Sequence, residues 1–228
     1  MKAGVIRFAG SNCDFDAYNV LKDVFKFKTD FLWHKENIKE KYDIIILPGG
    51  FSYGDYLRPG AIARFSKVME DVQKHLLQGR LIIGICNGFQ ILCEAQMLPG
   101  VLMRNKNMKF ICSKQNLKVE NSELSKKIGK NIINMPIAHA DGNYFADNNV
   151  LEKLSEQNRI ILKYSDQNGN TDRIYNPNGS SNNIAGIMNE SKNVFGTMPH
   201  PERACDDFNS INDGKLFLES IFELYGRF

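Results

Sequence analysis

The stretch Leu81-Ile82-Ile83-Gly84-Ile85-Cys86-Asn87-Gly88-Phe89-Gln90 contains a complete change of secondary structure. Its apolar first half predicts a buried strand, and Gly88 allows a helix to begin at once. The turn between them exposes Cys86 above the sheet, which is the thiol form of a strand–turn–helix nucleophile elbow. Backbone N–H groups and the helix dipole favour a thiolate at this position. A buried structural cysteine is the alternative, but it gives the flanking glycines no purpose.

The segments around this elbow alternate between strand and helix patterns. Strands are predicted at Ala3–Phe8, Thr29–Trp33, Asp43–Leu47 and Leu81–Ile85, with helices at Asp14–Phe25, Pro59–Leu77 and from the elbow to about Met97. This alternation predicts an α/β fold, namely a flavodoxin-like, doubly wound, mostly parallel sheet with helices on both faces. Ligands bind such sheets at the carboxyl ends of the strands, where Gly49, Gly50 and Cys86 all fall.

The rest of the chain is less regular and predicts a small antiparallel extension. Further strands are predicted at Phe110–Ser113, Leu117–Glu120, Ile132–Met135, Ile160–Tyr164, Ile184–Met188 and Val194–Met198, and helices at Asn148–Gln157 and Lys215–Tyr225. The last two strands are expected to be antiparallel neighbours. Residues 166–183 are rich in Asn, Gly and Ser and predict a long loop or a hairpin. Because no repeat or linker divides the sequence, we expect one domain over residues 1–228.

Composition excludes several classes of function. The chain has 228 residues, a net charge of +3 and scattered lysines, so nucleic-acid binding has no support. Its five cysteines form no CxxC pair, which argues against a disulfide framework and against a zinc site, and we expect no metal. We find no secretory segment and no membrane span, which predicts a cytoplasmic protein. Cys13 receives no role, and Cys93, Cys112 and Cys205 are expected to be packing residues.

A cysteine nucleophile needs a proton shuttle, and the chain has four histidines. We expect His34 and His75 to be surface or packing residues, while His139 is ambiguous. His200 is the strongest candidate, since two prolines fix the backbone around it and Glu202 follows two residues later. In an extended segment such residues point the same way, so Glu202 is expected to hold the imidazole as the third member of a triad.

An oxyanion hole completes the predicted chemistry. The elbow supplies the N–H of Asn87, and the Gly49-Gly50 turn at the neighbouring strand end supplies a second donor from Gly50. Together these groups predict acyl transfer through a thioester, in which Cys86 attacks an amide carbonyl. His200 would give a proton to the departing amine and then assist hydrolysis by water.

The sequence resembles the class I (triad) glutamine amidotransferases at the elbow and at His200-Pro201-Glu202. More narrowly, it is similar to the glutaminase subunits of phosphoribosylformylglycinamidine synthases. The stretches that carry this likeness are the elbow and the residues 8–14, 48–61, 176–180 and 198–203, which together span nearly the whole chain. One departure is His139-Ala140-Asp141-Gly142, where relatives usually have His-Gly-Glu-Gly.

The resemblance implies a substrate, partners and residue roles. The substrate would be glutamine, the triad Cys86, His200 and Glu202, and Gln90 would contact the bound glutamine. The loop with His139 and Asp141 would line the glutamine site or the subunit contact. No cofactor would be held by this chain. Ammonia would pass to a large synthetase subunit that uses ATP and Mg²⁺, often with a small bridging protein, in purine biosynthesis.

Two other readings of the residues remain. A stand-alone cysteine hydrolase acting on a γ-glutamyl or small amide substrate would share the elbow and the parallel sheet. It would not account for residues 51–61, whose two exposed-looking tyrosines and Arg58 suit a docking loop. A binding or scaffold subunit with no enzymatic activity would leave Cys86, His200 and Glu202 without purpose.

Overall fold

The computed structural model describes residues 1–205 and 212–226. Its strands are β1 (Lys2–Arg7), β2 (Lys28–Trp33), β3 (Ile44–Leu47), β4 (Leu81–Ile85), β5 (Val101–Met103), β6 (Ile111–Val119), β7 (Ile132–His139), β8 (Asn143–Phe145), β9 (Ile160–Ser165), β10 (Ile184–Met188) and β11 (Val194–Thr197). Its α-helices are α1 (Asp14–Asn19), α2 (Val68–Leu77), α3 (Asn87–Glu94), α4 (Ser122–Ile128), α5 (Asn148–Glu156) and α6 (Asp213–Tyr225).

One sheet of nine strands organises the described residues, in the order β2-β1-β3-β4-β11-β10-β9-β6-β7. The five strands from β2 to β11 are mutually parallel. From β11 onwards every neighbouring pair is antiparallel, including β10 with β11 as the sequence predicts. Strands β5 and β8 form a separate antiparallel pair. The predicted α/β class is confirmed, with the antiparallel strands continuing the parallel sheet.

The centre of the sheet is buried on both faces. Every residue of β3 and β4 is buried, which explains their unbroken apolar sequences. Helix α3 packs on this centre because Gly88 has no side chain: a Cβ atom there would lie 1.9 Å from the carbonyl oxygen of Leu47. Gly84 of β4 lies at the same contact between α3 and the sheet, and a Cβ atom added to it would lie 2.7 Å from the backbone of Gly88. These two glycines therefore bring the first turn of α3 directly against the sheet.

Several predicted elements differ from those observed. The helix predicted from Pro59 begins only at Val68, because Gly60 has a φ of +81° and Ser66 is extended. Helix α3 ends at Glu94 rather than near Met97, since Gln96 adopts a left-handed φ of +58°. The two strands predicted at 110–113 and 117–120 are one continuous strand, β6, which pairs with neighbours on both sides.

The sequence did not predict three of the observed elements. Helix α4 and the short strands β5 and β8 had no prediction. Helix α1 continues as a π-helical turn over Val20–Val24, within the predicted helical segment. Among the described residues, no helix is both long and apolar enough to cross a membrane.

Candidate active site

Cys86 occupies a strained turn between β4 and α3. Its φ of +50° and ψ of −102° are unusual for a residue with a side chain, and such conformations cost about 1–3 kcal/mol. The surrounding structure holds the turn in place, since the Cys86 N–H donates to the Thr197 carbonyl oxygen at 2.7 Å. The predicted strand–turn–helix backbone around Cys86 is therefore present. Cys86 as a whole is 5% exposed, and its Sγ lies 3.7 Å from the carbonyl oxygen of Ala138.

His200 and Glu202 form a closely bonded pair at the end of β11, the strand beside β4. His200 Nδ1 lies 2.6 Å from Glu202 Oε1, and both side chains are buried. The His200 N–H also donates to the Pro136 carbonyl oxygen at 2.8 Å, which ties this segment to β7. The predicted contact is present, but the backbone path is different: Pro201–Arg203 forms a 3-10 turn rather than an extended segment.

The environment of His200 favours the imidazolium. Burial lowers the pKa, but the Glu202 carboxylate and then the Cys86 thiol outweigh it and raise the pKa of His200 to about 10. Cys86 follows β4 and His200 follows β11, and because these two strands pair in parallel, the thiol and the ring extend from neighbouring strand ends. With Nδ1 occupied by Glu202, the buried Nε2 atom has no well-formed hydrogen bond among the described residues. It is the nitrogen available for proton transfer.

Asn87 and Gln90 connect the first turn of α3 to two loops. The Asn87 side chain accepts a hydrogen bond from the Ser52 N–H at 3.1 Å and donates to Gln90 Oε1 at 2.8 Å. Gln90 Nε2 in turn donates to the carbonyl oxygen of Asp141 at 2.7 Å. The structure therefore brings Asn87, Gln90 and the backbone of Asp141 together one helical turn from Cys86.

Three polar side chains fix the loop at residues 139–142. Asn105 Oδ1 accepts from the Gly142 N–H at 2.9 Å, and Asn105 Nδ2 donates to the His139 carbonyl oxygen at 2.9 Å. Asn178 Nδ2 and Ser180 Oγ both donate to the Gly142 carbonyl oxygen, at 2.8 and 3.2 Å. The sequence had given Asn105 no role, and it placed Asn178 and Ser180 only within a resemblance motif. Their chemical function here is to shape the loop beside Cys86.

The two predicted loop residues have different surroundings. His139 is buried, with Nδ1 3.1 Å from Asn105 Oδ1, and burial together with the nearby His200 lowers its pKa to about 4. The ring fills the space that a side chain at Gly142 would need, since a Cβ there would lie 2.3 Å from it. Asp141 is half-buried and its Oδ2 accepts from Arg104 Nη1 at 3.3 Å. Contact of either side chain with glutamine stays a prediction.

Gly49 and Gly50 lie where β3 meets the site. A Cβ on Gly49 would lie 2.8 Å from His200 Cε1 and 3.1 Å from Cys13 Sγ, so only glycine fits between them. Gly50 has a φ of +140°, and a Cβ there would lie 2.7 Å from the backbone N of Asn12. Both glycines therefore reach the site as expected, while the oxyanion contact of Gly50 remains a prediction.

Cys13 is a residue of this site that the sequence analysis missed. It is buried, and its Sγ accepts a hydrogen bond from Arg203 Nη2 at 3.0 Å while lying 3.3 Å from Asn12 Oδ1. Burial and the Glu202 carboxylate raise the pKa of the Cys13 thiol to about 12, against the opposing effect of Arg203. The available signal was its position just beyond β1, whose carboxyl end lies beside β3 in a parallel sheet.

The remaining cysteines and histidines are outside this constellation. His34 and His75 are buried packing residues, and Cys93 and Cys205 are buried as expected. Cys112 was predicted to be a packing residue, but it is exposed on β6 because that strand is largely solvent-facing at this end.

The loop before α2 presents apolar side chains to solvent beside the site. Tyr56 is 74% exposed and Leu57 is 91% exposed, the latter with a φ of +70°. Tyr53 is not exposed as expected, because its hydroxyl lies 2.5 Å from His34 Nδ1 and 2.9 Å from Ser66 Oγ. Arg58 makes two hydrogen bonds to Glu94, at 2.5 and 2.7 Å, which anchor the loop to α3.

Asp55 links this loop to the nucleophile turn. Its Oδ1 accepts from Asn87 Nδ2 at 3.3 Å, and its backbone is left-handed, with a φ of +54°. Burial raises the pKa of Asp55 to about 6, the nearby Asp141 carboxylate adds to the rise, and the Asn87 bond opposes it.

A cysteine on a strained strand–helix turn, with an imidazole–carboxylate pair at the end of the next strand, is the arrangement of the triad glutamine amidotransferases. Fold and site together define that class. Residues 1–215 match the model of the CobB/CobQ-like glutamine amidotransferase domain, and the chain belongs to this family.

Individual relatives agree with this assignment. The chain is 51% identical to the phosphoribosylformylglycinamidine synthase subunit PurQ of Alkaliphilus metalliredigens, over 97% of this chain and 95% of that one. It is 47% identical to the subunit of the same name from Salinibacter ruber, over 96% and 94% of the two chains. Among solved structures it is similar to a chain in the structure of PurLQS from Thermotoga maritima, with a TM-score of 0.83, 41% identity and 97% coverage of both chains.

Proposed function

We propose that this chain is the glutaminase subunit of a phosphoribosylformylglycinamidine synthase. Relatives that carry this name match nearly their full length at 47–51% identity. The single structural observation that carries the proposal is the position of Cys86, on a strained turn next to a His200 imidazole that Glu202 holds at 2.6 Å. The chain acts as one amidotransferase domain over residues 1–228, as the family match to residues 1–215 supports.

The first half of the reaction forms a glutamyl thioester. The Cys86 thiolate attacks the γ-amide carbon of glutamine, and the carbonyl oxygen takes the negative charge. The N–H groups of Asn87 and Gly50 stabilise this oxyanion. The C–N bond then breaks as the His200 imidazolium donates its Nε2 proton to the departing nitrogen, which leaves as ammonia. Glu202 keeps Nδ1–H in place throughout this transfer.

The second half releases glutamate. The now neutral His200 removes a proton from water, which attacks the thioester carbon, and the C–S bond breaks to regenerate the Cys86 thiolate. The raised pKa of His200 keeps its imidazole protonated at neutral pH, so that it can donate to the departing nitrogen. Glutamate and ammonia are therefore the two products of one glutamine and one water molecule.

The substrate contacts come from loops on either side of Cys86. Gly49, Gly50 and Asn87 surround the reacting carbonyl, while Gln90 and the loop with His139 and Asp141 hold the rest of the glutamine. Gln90 bonds the Asp141 backbone at 2.7 Å and so fixes the distance between helix and loop. His139 acts by supporting this loop, since its Nδ1 faces Asn105.

Ammonia passes from this chain to a large synthetase subunit. That subunit uses ATP and Mg²⁺ to activate the formyl amide oxygen of phosphoribosylformylglycinamide, and ammonia then gives the amidine. A small bridging subunit completes the assembly. The fit to a chain of PurLQS supports this arrangement, and no cofactor is assigned to the present chain.

Glutamine hydrolysis tests the proposal directly. The purified chain is assayed alone and with the synthetase subunits, their substrate and ATP, and glutamate is quantified. We expect activity to rise sharply with the complete assembly and to disappear in Cys86→Ala. Cys112→Ser is the matched control, because Cys112 is exposed and outside the site.

The same assay distinguishes the proposed function from the main alternative, a stand-alone hydrolase. A stand-alone hydrolase of γ-glutamyl or small amide substrates would reach full activity without the synthetase. Such a result, or hydrolysis that survives in Cys86→Ala, would overturn the proposed function.

A further inference from the structure

The Asn87 side chain lies between the nucleophile turn and the loop that follows β3. Its Oδ1 accepts a hydrogen bond from the Ser52 backbone N–H at 3.1 Å, and the two residues are only 1% and 2% exposed. Asn87 therefore contributes two groups to the site. Its backbone N–H is one donor of the proposed oxyanion hole, and its side chain holds the segment that carries the other donor, Gly50.

The orientation of the Asn87 amide follows from its partners. The Ser52 N–H can only donate, so the atom that faces it must be Oδ1. Nδ2 then faces two acceptors, Gln90 Oε1 at 2.8 Å and Asp55 Oδ1 at 3.3 Å. Gln90 is itself oriented, because its Nε2 donates to the Asp141 carbonyl oxygen at 2.7 Å. Rotating the Asn87 amide by half a turn would place donor against donor at Ser52 and acceptor against acceptor at the other two contacts.

A hydrogen bond on the opposite side attaches the same loop to the residues after β1. The Phe51 N–H donates to the Gly10 carbonyl oxygen at 3.1 Å, whereas the next N–H along the chain, that of Ser52, bonds to α3. Gly50 directly precedes these two attachments. The position of its N–H relative to the nucleophile turn therefore depends on the Asn87 contact, while the attachment to Gly10 keeps the loop folded without it.

We propose that the Asn87 side chain is a clamp that sets the spacing of the two N–H donors of the oxyanion hole, with the Asp55 carboxylate as its orienting partner. This inference rests on the proposed function. An oxyanion hole is effective only when its donors lie about 2.7–3.1 Å from the oxyanion, so a shift of the loop weakens it. Asp55 is a positioning residue, since it reaches the reaction only through Asn87.

Asn87→Ala tests the clamp, because it removes the side chain and keeps the backbone N–H. In the complete assembly we expect kcat for glutamine hydrolysis to fall by about 100-fold, the effect of a displacement of about 1 Å near the reacting atoms. The KM should change far less, since the oxyanion forms only after glutamine has bound. Asn193→Ala is the matched control: Asn193 is equally buried, and it lies at the opposite end of β11 from His200. Equal kcat values for the two variants would overturn the proposal.

Alkylation of Cys86 by iodoacetamide separates loss of the oxyanion hole from damage to the nucleophile turn. In this reaction the sulfur attacks a saturated carbon and displaces iodide, so no oxyanion forms. We expect Cys86 to be alkylated at similar rates in Asn87→Ala and in Asn193→Ala, as measured by mass spectrometry of its peptide. An alkylation rate that falls in parallel with kcat would show that the turn itself is disrupted, and would overturn the clamp. Circular dichroism verifies that each variant is folded.

Exchanging the two polar groups tests the role of Asp55. Asn87→Asp leaves an oxygen for the Ser52 N–H but places a second carboxylate against Asp55, so kcat should fall. Adding Asp55→Asn supplies an amide that can donate to the new carboxylate. The double variant should therefore recover kcat by about tenfold, the effect of one hydrogen bond to a charged group. Equal kcat values in the single and double variants would overturn the role of Asp55.

Amide hydrogen exchange at Ser52 tests the clamp without an assay of activity. Asn87→Ala should raise the exchange rate of this N–H by more than about tenfold relative to the parent chain, because the acceptor is lost. Asn193→Ala should leave it unchanged. An unchanged rate in Asn87→Ala would overturn the clamp. A parent assembly that releases no glutamate would refute the proposed function, and the exchange rates would still decide whether the clamp exists.

Discussion

His200 Nδ1 and Glu202 Oε1 lie 2.6 Å apart inside the protein, with both side chains shielded from solvent. This bond fixes the imidazole with Nε2 free and supports its positive charge. The carboxylate is therefore both an orienting group and the main source of the raised pKa of His200, against the effect of burial.

Glu202→Gln tests that dual role. The amide keeps the shape of the side chain but not its charge, so the pKa of His200 should fall as burial dominates. We expect kcat for glutamine hydrolysis to drop by about 100-fold, the scale of a lost acid–base contribution. Because the imidazolium would persist only to a lower pH, the alkaline limb of the kcat profile should move towards neutral pH. Glu223→Gln, on the exposed part of α6, is the control, and an unshifted limb would contradict the assignment.

His139 should make stability depend on pH in the acid range. Its pKa is lowered by burial and by His200 to about 4, below the ordinary value of 6.5. Between these values the unfolded chain binds more protons than the folded one, so the free energy of unfolding should fall as pH drops. Urea titrations at pH 7 and pH 5 should show a smaller difference for His139→Asn than for the parent chain. An equal pH difference in the free energy of unfolding for the two chains would refute the contribution of His139. His75, whose pKa is also lowered by burial, accounts for part of the pH dependence that remains in His139→Asn.

Gly88→Ala should damage both stability and the nucleophile turn. The added Cβ would lie 1.9 Å from the Leu47 carbonyl oxygen, so α3 must move away from β3, at a cost of about 3 kcal/mol or more. Gly129→Ala is the matched control: its Cβ has open space, and only the left-handed φ of +74° costs about 1 kcal/mol. Chemical denaturation measures both. A smaller loss for Gly88→Ala than for Gly129→Ala would contradict this packing argument.

Gln90→Leu should weaken substrate binding more than chemistry. The leucine fills similar space but loses the bonds to Asn87 Nδ2 and to the Asp141 carbonyl oxygen. We expect the KM for glutamine to rise by about tenfold, the effect of one hydrogen bond of average strength. Gln73→Leu, an exposed glutamine on α2, provides the control. A fall in kcat with unchanged KM would argue instead that Gln90 acts only by placing Asn87.

The parallel half of the fold could be predicted from sequence because its signals are local. Strand β4 and the elbow occupy consecutive residues, and the spacing of His200 and Glu202 places them together in several backbone conformations. Helix α4 also had a readable signal: Asn121 Oδ1 caps it by accepting from the Leu124 N–H, and Gly129 ends it in a left-handed conformation. Strands β5 and β8 are three residues each and carry too little pattern to detect.

The missed site residues depend on contacts between distant segments. Asn105 bonds Gly142, which lies 37 positions later in the chain, and Cys13 reaches Glu202 because β1 and β11 flank β3 and β4. Polar residues in loops are common, and nothing in their local sequence distinguishes those that hold a site. The strand order and the pairing register decide which loop residues come into contact, and neither can be derived from the local sequence pattern.

The nine-stranded sheet contributes residues to the site from both of its halves. Cys86, His200 and Glu202 all extend from the ends of parallel strands, while the loop at residues 139–142 extends from the antiparallel strand β7 and is held by Asn105, Asn178 and Ser180. The reacting groups and the loop at residues 139–142 thus come from different halves of one sheet. The side chains of this loop can change while the reacting groups stay in place, because Asn105, Asn178, Ser180 and Gln90 all bond to backbone atoms of the loop.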